Sequence, residues 1–173
     1  VVWMETDLLP TVAALTEGKM PEKKIDGKNI LPLMLGSEGR DHTPHEALFF
    51  YAGDELQAVR MGKWKLHLPH AYLTVTEQTR DDGKPAGYGK LKPLSITQSG
   101  IEGIASRHGY GVKRIEESLF DLESDIGETM NVARQHPDEV AAMKKLAEIM
   151  RAELGDGLTG AVGKAIRPAE ELN

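Results

Sequence analysis

The chain contains no cysteine, which removes disulfides, thiolate metal ligands and thiol nucleophiles together and leaves the redox compartment open, because absence fits either setting. Aromatic residues are scarce at 5 %, so the core has to be built from aliphatic side chains and is modest in size. Basic charge is short as well. With 21 Lys and Arg against 27 Asp and Glu, the net charge of −6 repels phosphate backbones, and no local Lys/Arg cluster overrides it. No nucleic-acid partner is expected. No apolar run approaches the roughly 20 residues needed to cross a bilayer as a helix, and Val1-Val2-Trp3-Met4-Glu5 has neither the basic start nor the long apolar stretch of a secretory leader. No membrane partner is expected either. Beginning on Val-Val-Trp beside a periodic apolar segment, the sequence suggests that more of it lies upstream.

What is present fits one ordinary domain in its 173 residues. Thr6 to Leu15 places Leu8, Val12 and Leu15 on one helical face, with Thr6 or Asp7 as N-cap, Pro10 in the first turn and Gly18 beyond the end. A charged loop follows, then Ile30 to Gly36, short and apolar enough to read as a buried helical turn. Ala47 to Ala52, Leu56 to Met61 and Trp64 to Leu68 read as strands joined by tight turns at Gly53-Asp54 and Gly62-Lys63. Trp64, Leu66 and Leu68 alternate with Lys63, Lys65 and His67, the pattern of a strand covered on one side. Pro69 ends that run, and a Gly-rich excursion over 71–117 shows little periodicity. Ser118 to Leu122 is a fourth strand. Pro137 opens a long helix with Val140, Met143, Leu146, Ala147, Met150 and Leu154 on one face and Gly155 just past its end.

The expected fold is therefore α+β: a four-stranded antiparallel sheet covered by a C-terminal helix, with an N-terminal helix and a long Gly-rich loop. Residues 1–36 form the helix and linker, residues 37–156 the main subdomain, and residues 157–173 a charged, Gly-containing tail expected to fray.

No self-contained active site is legible. His42 and His45, and likewise His67 and His70, stand three positions apart, a spacing metals use, but each pair brackets a proline, and surface loop histidines are the better reading. His67 and His70 remain candidates for lining a pocket. Asp121-Leu122-Glu123-Ser124-Asp125 opens like a calcium loop, but its glycine falls one position late and Val132 stands where the bidentate Glu belongs. An acidic turn, with Asp125 and Glu128 near a short helical start, is preferred. No phosphate loop, nucleophile elbow or zinc-protease helix occurs.

Five segments carry a resemblance in their order: Asp7-Leu8-Leu9-Pro10-Thr11, Ile25-Asp26-Gly27-Lys28-Asn29-Ile30-Leu31-Pro32-Leu33, Leu48-Phe49-Phe50-Tyr51, Ala58 to His67, and Leu119 to Val132. Together they resemble the consecutive C-terminal landmarks of arylsulfatase-type sulfatases, within the alkaline phosphatase-like superfamily. The resemblance runs from about Thr6 to Gly155 and is loose over the excursion. It implies a large N-terminal catalytic domain as partner, on which residues 1–36 would dock, and a small C-terminal domain of four strands and a helix, as read above.

The resemblance also implies sulfuric ester hydrolysis of a sulfated small molecule or glycan by a formylglycine, with a calcium ion balancing the sulfate charge. Neither group is expected in this chain. It has no cysteine, and none of Ser37, Ser95, Ser99, Ser106, Ser118 or Ser124 begins a Ser-x-Pro-Ser-Arg motif. The paired aspartates that hold calcium in the family belong upstream. No residue is assigned a catalytic or metal-binding role, and the chain is expected not to catalyse alone. The resemblance places the strand of Lys65 and His67 and the loop after it near the substrate-pocket rim, so His67 and His70 lead the candidates, followed by Lys65 and Arg60. Arg60, Lys63 and Lys65 also fit as solvated charges that discourage sheet aggregation. Asp121, Asp125, Gly127, Glu128 and Asn131 are read as fixing the turn before the last helix. Two other readings stay open: a stand-alone binding or self-association module using apolar surface around Leu8, Leu31 and Leu33, and a relative of the alkaline phosphatases. Sulfatases are often periplasmic, secreted or lysosomal; this sequence assigns no compartment.

Overall fold

A computed structural model of the chain describes residues 2–37, 43–74, 101 and 111–166. It divides into two compact units, Val1–Leu48 and Phe49–Asn173.

In the first unit a 3-10 turn, Glu5–Asp7, leads into helix α1, Leu8–Thr16, which ends as Glu17 turns left-handed at φ 52° and the Gly18 amide reaches the Ala13 carbonyl. Of Thr6 and Asp7, the two expected N-caps, Asp7 holds the N-cap position of α1 but makes no side-chain capping bond; its carboxylate turns back to the Met4 amide and outward to the Lys28 amide. The Thr11 hydroxyl bonds the Asp7 carbonyl and accepts from the Ile30 amide. Thus Asp-x-x-x-Thr on one side and Gly-Lys-Asn-Ile on the other are two halves of one contact. Gly27 lies so close to the turn that an added Cβ would stand 2.0 Å from the Thr6 carbonyl oxygen. Backbone cannot yield there as a flexible side chain could, so Gly27→Ala should destabilise this unit by about 2 kcal/mol, read as faster amide exchange at Lys28 and Ile30.

The turn of helix α2, Leu31–Met34, differs from its expected burial: Ile30 is buried, but Met34 and Leu35 are exposed. Leu8, Leu9, Val12 and Leu15 of α1 are exposed too. A nine-residue helix and a single turn cannot cover all of each other's apolar surface. An open cleft of about 160 Å³ among Trp3, Ile30, Leu33 and Met34 remains.

The second unit is built on strands β1 (Leu48–Ala52), β2 (Glu55–Met61), β3 (Trp64–His67) and β6 (Ser118–Asp121), in the order β1-β2-β3-β6. Gly53 and Gly62 make the two turns with φ of 64° and 56°, where a Cβ is disfavoured. The register sets Val59 beside Leu66 and Leu66 beside Leu119, and all three are fully buried. Helix α3, Pro137–Leu154, packs on β2 and β3 and buries Val140, Met143 and Ala147. His136, just before it, lies 4.5 Å from the Trp64 ring, on the Leu66 side of the strand. The sheet and its covering helix are those the periodicity predicts.

The excursion is bounded by paired strands and is not loop from end to end. Its two ends pair as antiparallel strands β4 (His70–Thr74) and β5 (Gly111–Ile115), from His70 opposite Ile115 to Thr74 opposite Gly111, in a separate two-stranded sheet. Pro69, which offers no amide hydrogen, separates β3 from β4 and moves the chain from one sheet to the other. The remainder of the excursion, 75–100 and 102–110, lies outside the described residues.

After α3 the chain bonds back onto the second unit at several points. Asp156 is buried, accepts from the Leu56 and Leu158 amides, and pairs with Arg151 at 2.7 Å. The Gly157 amide reaches the Asp54 carbonyl, and Lys164 and Ala165 bond back to the carbonyls of Ala152 and Glu153.

Candidate functional site

On the face of the sheet opposite Leu66, alternation sets Arg60, Lys65, His67 and Phe120 together. Lys65 and His67 converge on one carboxylate. Glu128 accepts from Lys65 Nζ at 2.6 Å through Oε1 and from His67 Nε2 at 2.6 Å through Oε2. An ionised carboxylate can only accept, so the His67 nitrogen facing it carries the proton. His67 then stacks on His70 at 5.6 Å between ring centroids and meets the edge of Phe120 at 5.7 Å. His70 is buried, and its Nδ1–H donates to the Leu68 carbonyl across the Pro69 corner. Lys65 Nζ also stands 5.3 Å from the Phe50 ring centre.

Burial pushes the His67 imidazole below its ordinary pKa, and Lys65 and His70 add to this, while Glu128 opposes it. Burial raises the Glu128 carboxyl, but its bonds to Lys65 and His67 outweigh that and hold it below its usual range. At neutral pH the cluster therefore combines a cation, an anion and a neutral imidazole. Its net charge is close to zero.

The supporting loop explains why Glu128 points where it does. Asp125 accepts from the Thr129 amide, the Thr129 hydroxyl and the Met130 amide, and Asn131 accepts from the Leu119 and Ala133 amides while its Nδ2 donates to Glu117 and Ser118. Asp121 accepts from Lys63 at 2.7 Å and from the Glu123 amide. Glu128 itself sits at φ 53°, a left-handed conformation uncommon for a non-glycine residue.

Of the four candidates, His67, His70 and Lys65 come together. Arg60, though paired with Lys65 across the strands, bonds the Gly62 carbonyl through Nε and turns away. Sequence reasoning treated Glu128 as part of a turn and missed that it joins Lys65 to His67. A second polar cluster was also missed. In the first unit the fully buried Asp7 binds His45 Nε2–H at 2.8 Å, so His45 serves a carboxylate rather than a metal. Its partner in spacing, His42, lies outside the described residues. Burial raises the Asp7 carboxyl, but the Met4 and Lys28 amides and His45 outweigh it and leave its pKa lowered. A depressed acid contributes stability above its unfolded pKa, about 3.9, and loses it as pH falls through the folded value. Amide exchange at Lys28 should therefore accelerate below about pH 4, beyond the ordinary pH dependence of exchange chemistry.

In the acidic loop the carboxylates serve protein donors: Asp121 holds Lys63, Asp125 the Thr129 and Met130 amides, and Glu128 holds Lys65 and His67. Among the described residues no group of three His, Cys, Asp or Glu side chains is arranged to hold a metal. Among them, too, no helix is long and apolar enough to cross a membrane.

The sheet, the clamped loop and the covering helix lie within residues 43–158, which match the model of the C-terminal region of aryl-sulfatase. The chain belongs to that family: it is an arylsulfatase-type C-terminal domain. It is 32 % identical over 162 residues to arylsulfatase A of Bos taurus, which covers 88 % of this chain and 27 % of that protein, and 31 % identical over the same length to arylsulfatase A of Homo sapiens. An arylsulfatase of Hemicentrotus pulcherrimus is 39 % identical over 155 residues, with 87 % and 26 % covered. The chain thus spans about a quarter of the length of these relatives.

Proposed function

We propose that this domain serves a sulfuric ester hydrolase from the side: it supports a catalytic sulfatase domain, contributes His67, His70 and Lys65 to the rim of the substrate pocket, and hydrolyses nothing alone. The clamping of Lys65 and His67 on Glu128 carries this reading. Side chains already ordered lose little freedom when a ligand arrives, which suits groups that select a substrate by its polar parts. Arg60, turned toward Gly62, is the weakest of the four candidates.

The partner in this reading is an N-terminal sulfatase domain, and the ligand is a sulfated small molecule or glycan held between the two. Formylglycine and calcium, which the family implies, would belong to that partner. Exposed Leu8, Leu9, Val12 and Leu15 supply apolar surface for its docking. The same surface supports the second reading, in which the domain associates with itself when no catalytic domain covers it. The noncatalytic role is tested by incubating the purified chain with 4-nitrophenyl sulfate. No release of 4-nitrophenol above buffer is expected; sustained turnover that copurifies with the chain would overturn the proposal.

A further inference from the structure

The two groups proposed for the rim share one carboxylate, and the shape of that contact assigns the carboxylate a role of its own. We propose that Glu128 is the positioning residue of the Lys65–His67 pair, fixing His67 as the Nε2–H tautomer with its Nδ1 left as a bare acceptor. This rests on the rim reading of Lys65 and His67 for its functional meaning, but not for its geometry.

Three observations support it. Both bonds from Glu128 are 2.6 Å long, one to each oxygen, so the carboxylate cannot rotate without giving up a partner. Glu128 has little freedom of its own, because Asp125 and Asn131 fasten the backbone around it and it takes the left-handed conformation at φ 53°. Third, His67 Nδ1 is buried with no hydrogen-bond partner among the described residues. A proton there would be a buried donor without an acceptor, which costs free energy that a bare nitrogen does not incur to the same degree. Glu128 and this bare nitrogen therefore favour the same tautomer from opposite edges of the ring. The groups facing the imidazole are Glu128, Lys65 and His70. Burial, Lys65 and His70 resist a second proton, in keeping with the lowered pKa.

A glutamine at this position keeps one good acceptor oxygen and turns an amide NH2 toward the other donor, so it cannot satisfy both partners. Nitrogen-15 NMR of the imidazoles in the 173-residue chain provides the test. In the parent, His67 should carry its proton on Nε2 above its titration midpoint. In Glu128→Gln, the protonated fraction should shift toward Nδ1 and the midpoint should fall, since Glu128 is what raises it. In Lys65→Met the tautomer should persist and the midpoint should rise. A parent His67 protonated on Nδ1 overturns the inference and needs no variant to fold. So does a Glu128→Gln chain whose His67 keeps both tautomer and midpoint. The rim reading fails separately: it falls if His67→Ala leaves KM unchanged in a sulfatase carrying this domain, whatever tautomer the NMR shows.

Discussion

Replacing Asp7 with alanine should loosen the first unit by about 3 kcal/mol, the range measured when one member of a buried, hydrogen-bonded charged group is removed. Asp7 is fully buried and is the acceptor for the Met4 amide, the Lys28 amide and His45 Nε2–H. Truncation leaves all three donors without it. Because Lys28 and Ile30 are held to the α1 segment by the Asp7 carboxylate and the Thr11 hydroxyl, the loss should appear as amide exchange at those two sites roughly a hundredfold faster, at 1.4 kcal/mol per tenfold. Asp7→Asn retains an acceptor oxygen and should lose less. Unchanged exchange at Lys28 in the alanine variant would contradict the assignment of Asp7 as the anchor.

Leu66→Ala should cost the second unit about 3 kcal/mol through lost burial and the cavity left behind. Leu66 lies in β3 between Val59 and Leu119, all fully buried on the side of the sheet that α3 covers. The urea midpoint, followed by Trp64 fluorescence in a Trp3→Phe background, should fall while the slope stays constant, as expected when stability changes without a change in the surface exposed. A shift no larger than that of an exposed control such as Ile149→Ala would place Leu66 outside the core. Ile149, on the outer side of α3, is 61 % exposed.

The contrast between these positions shows what the sequence could reveal. Leu66 was legible because a strand writes its two faces into alternate residues, and Trp64-Lys65-Leu66-His67 does so plainly. Helix α3 was legible for the same kind of reason, in the spacing of Val140, Met143 and Ala147. Asp7 was legible only as a helix cap, since its actual partner His45 is 38 positions away and nothing local marks the pair. Glu128 is 63 positions from Lys65 and 61 from His67, and from its neighbours alone it resembles any acidic turn residue. The pairing of β4 with β5 was obscured likewise: each is short, and Gly-rich sequence separates them. The burial of Asp156 was not legible, because it comes from Arg151 and from the Leu56 amide, 100 positions upstream. Short-range periodicity was readable; contacts between distant polar residues were not, except where ordered family landmarks marked residues whose chemistry the sequence alone could not explain.

Those landmarks now have physical content. Asp7 to Thr11 and Gly27 to Ile30 lock together through backbone amides, and the Leu119 to Val132 segment folds around Asp125 and Asn131 so that Glu128 reaches the Lys65 strand.

The most direct measurement is steady-state kinetics of a sulfatase that carries this domain, comparing the parent with His67→Ala on a sulfated substrate. A rim residue that contacts the ligand without taking part in bond cleavage should raise KM by roughly tenfold and leave kcat within about twofold, the signature of lost uniform binding. An unchanged KM in a folded variant would contradict the account, and so would a collapse of kcat at constant KM, which would make His67 part of the chemistry.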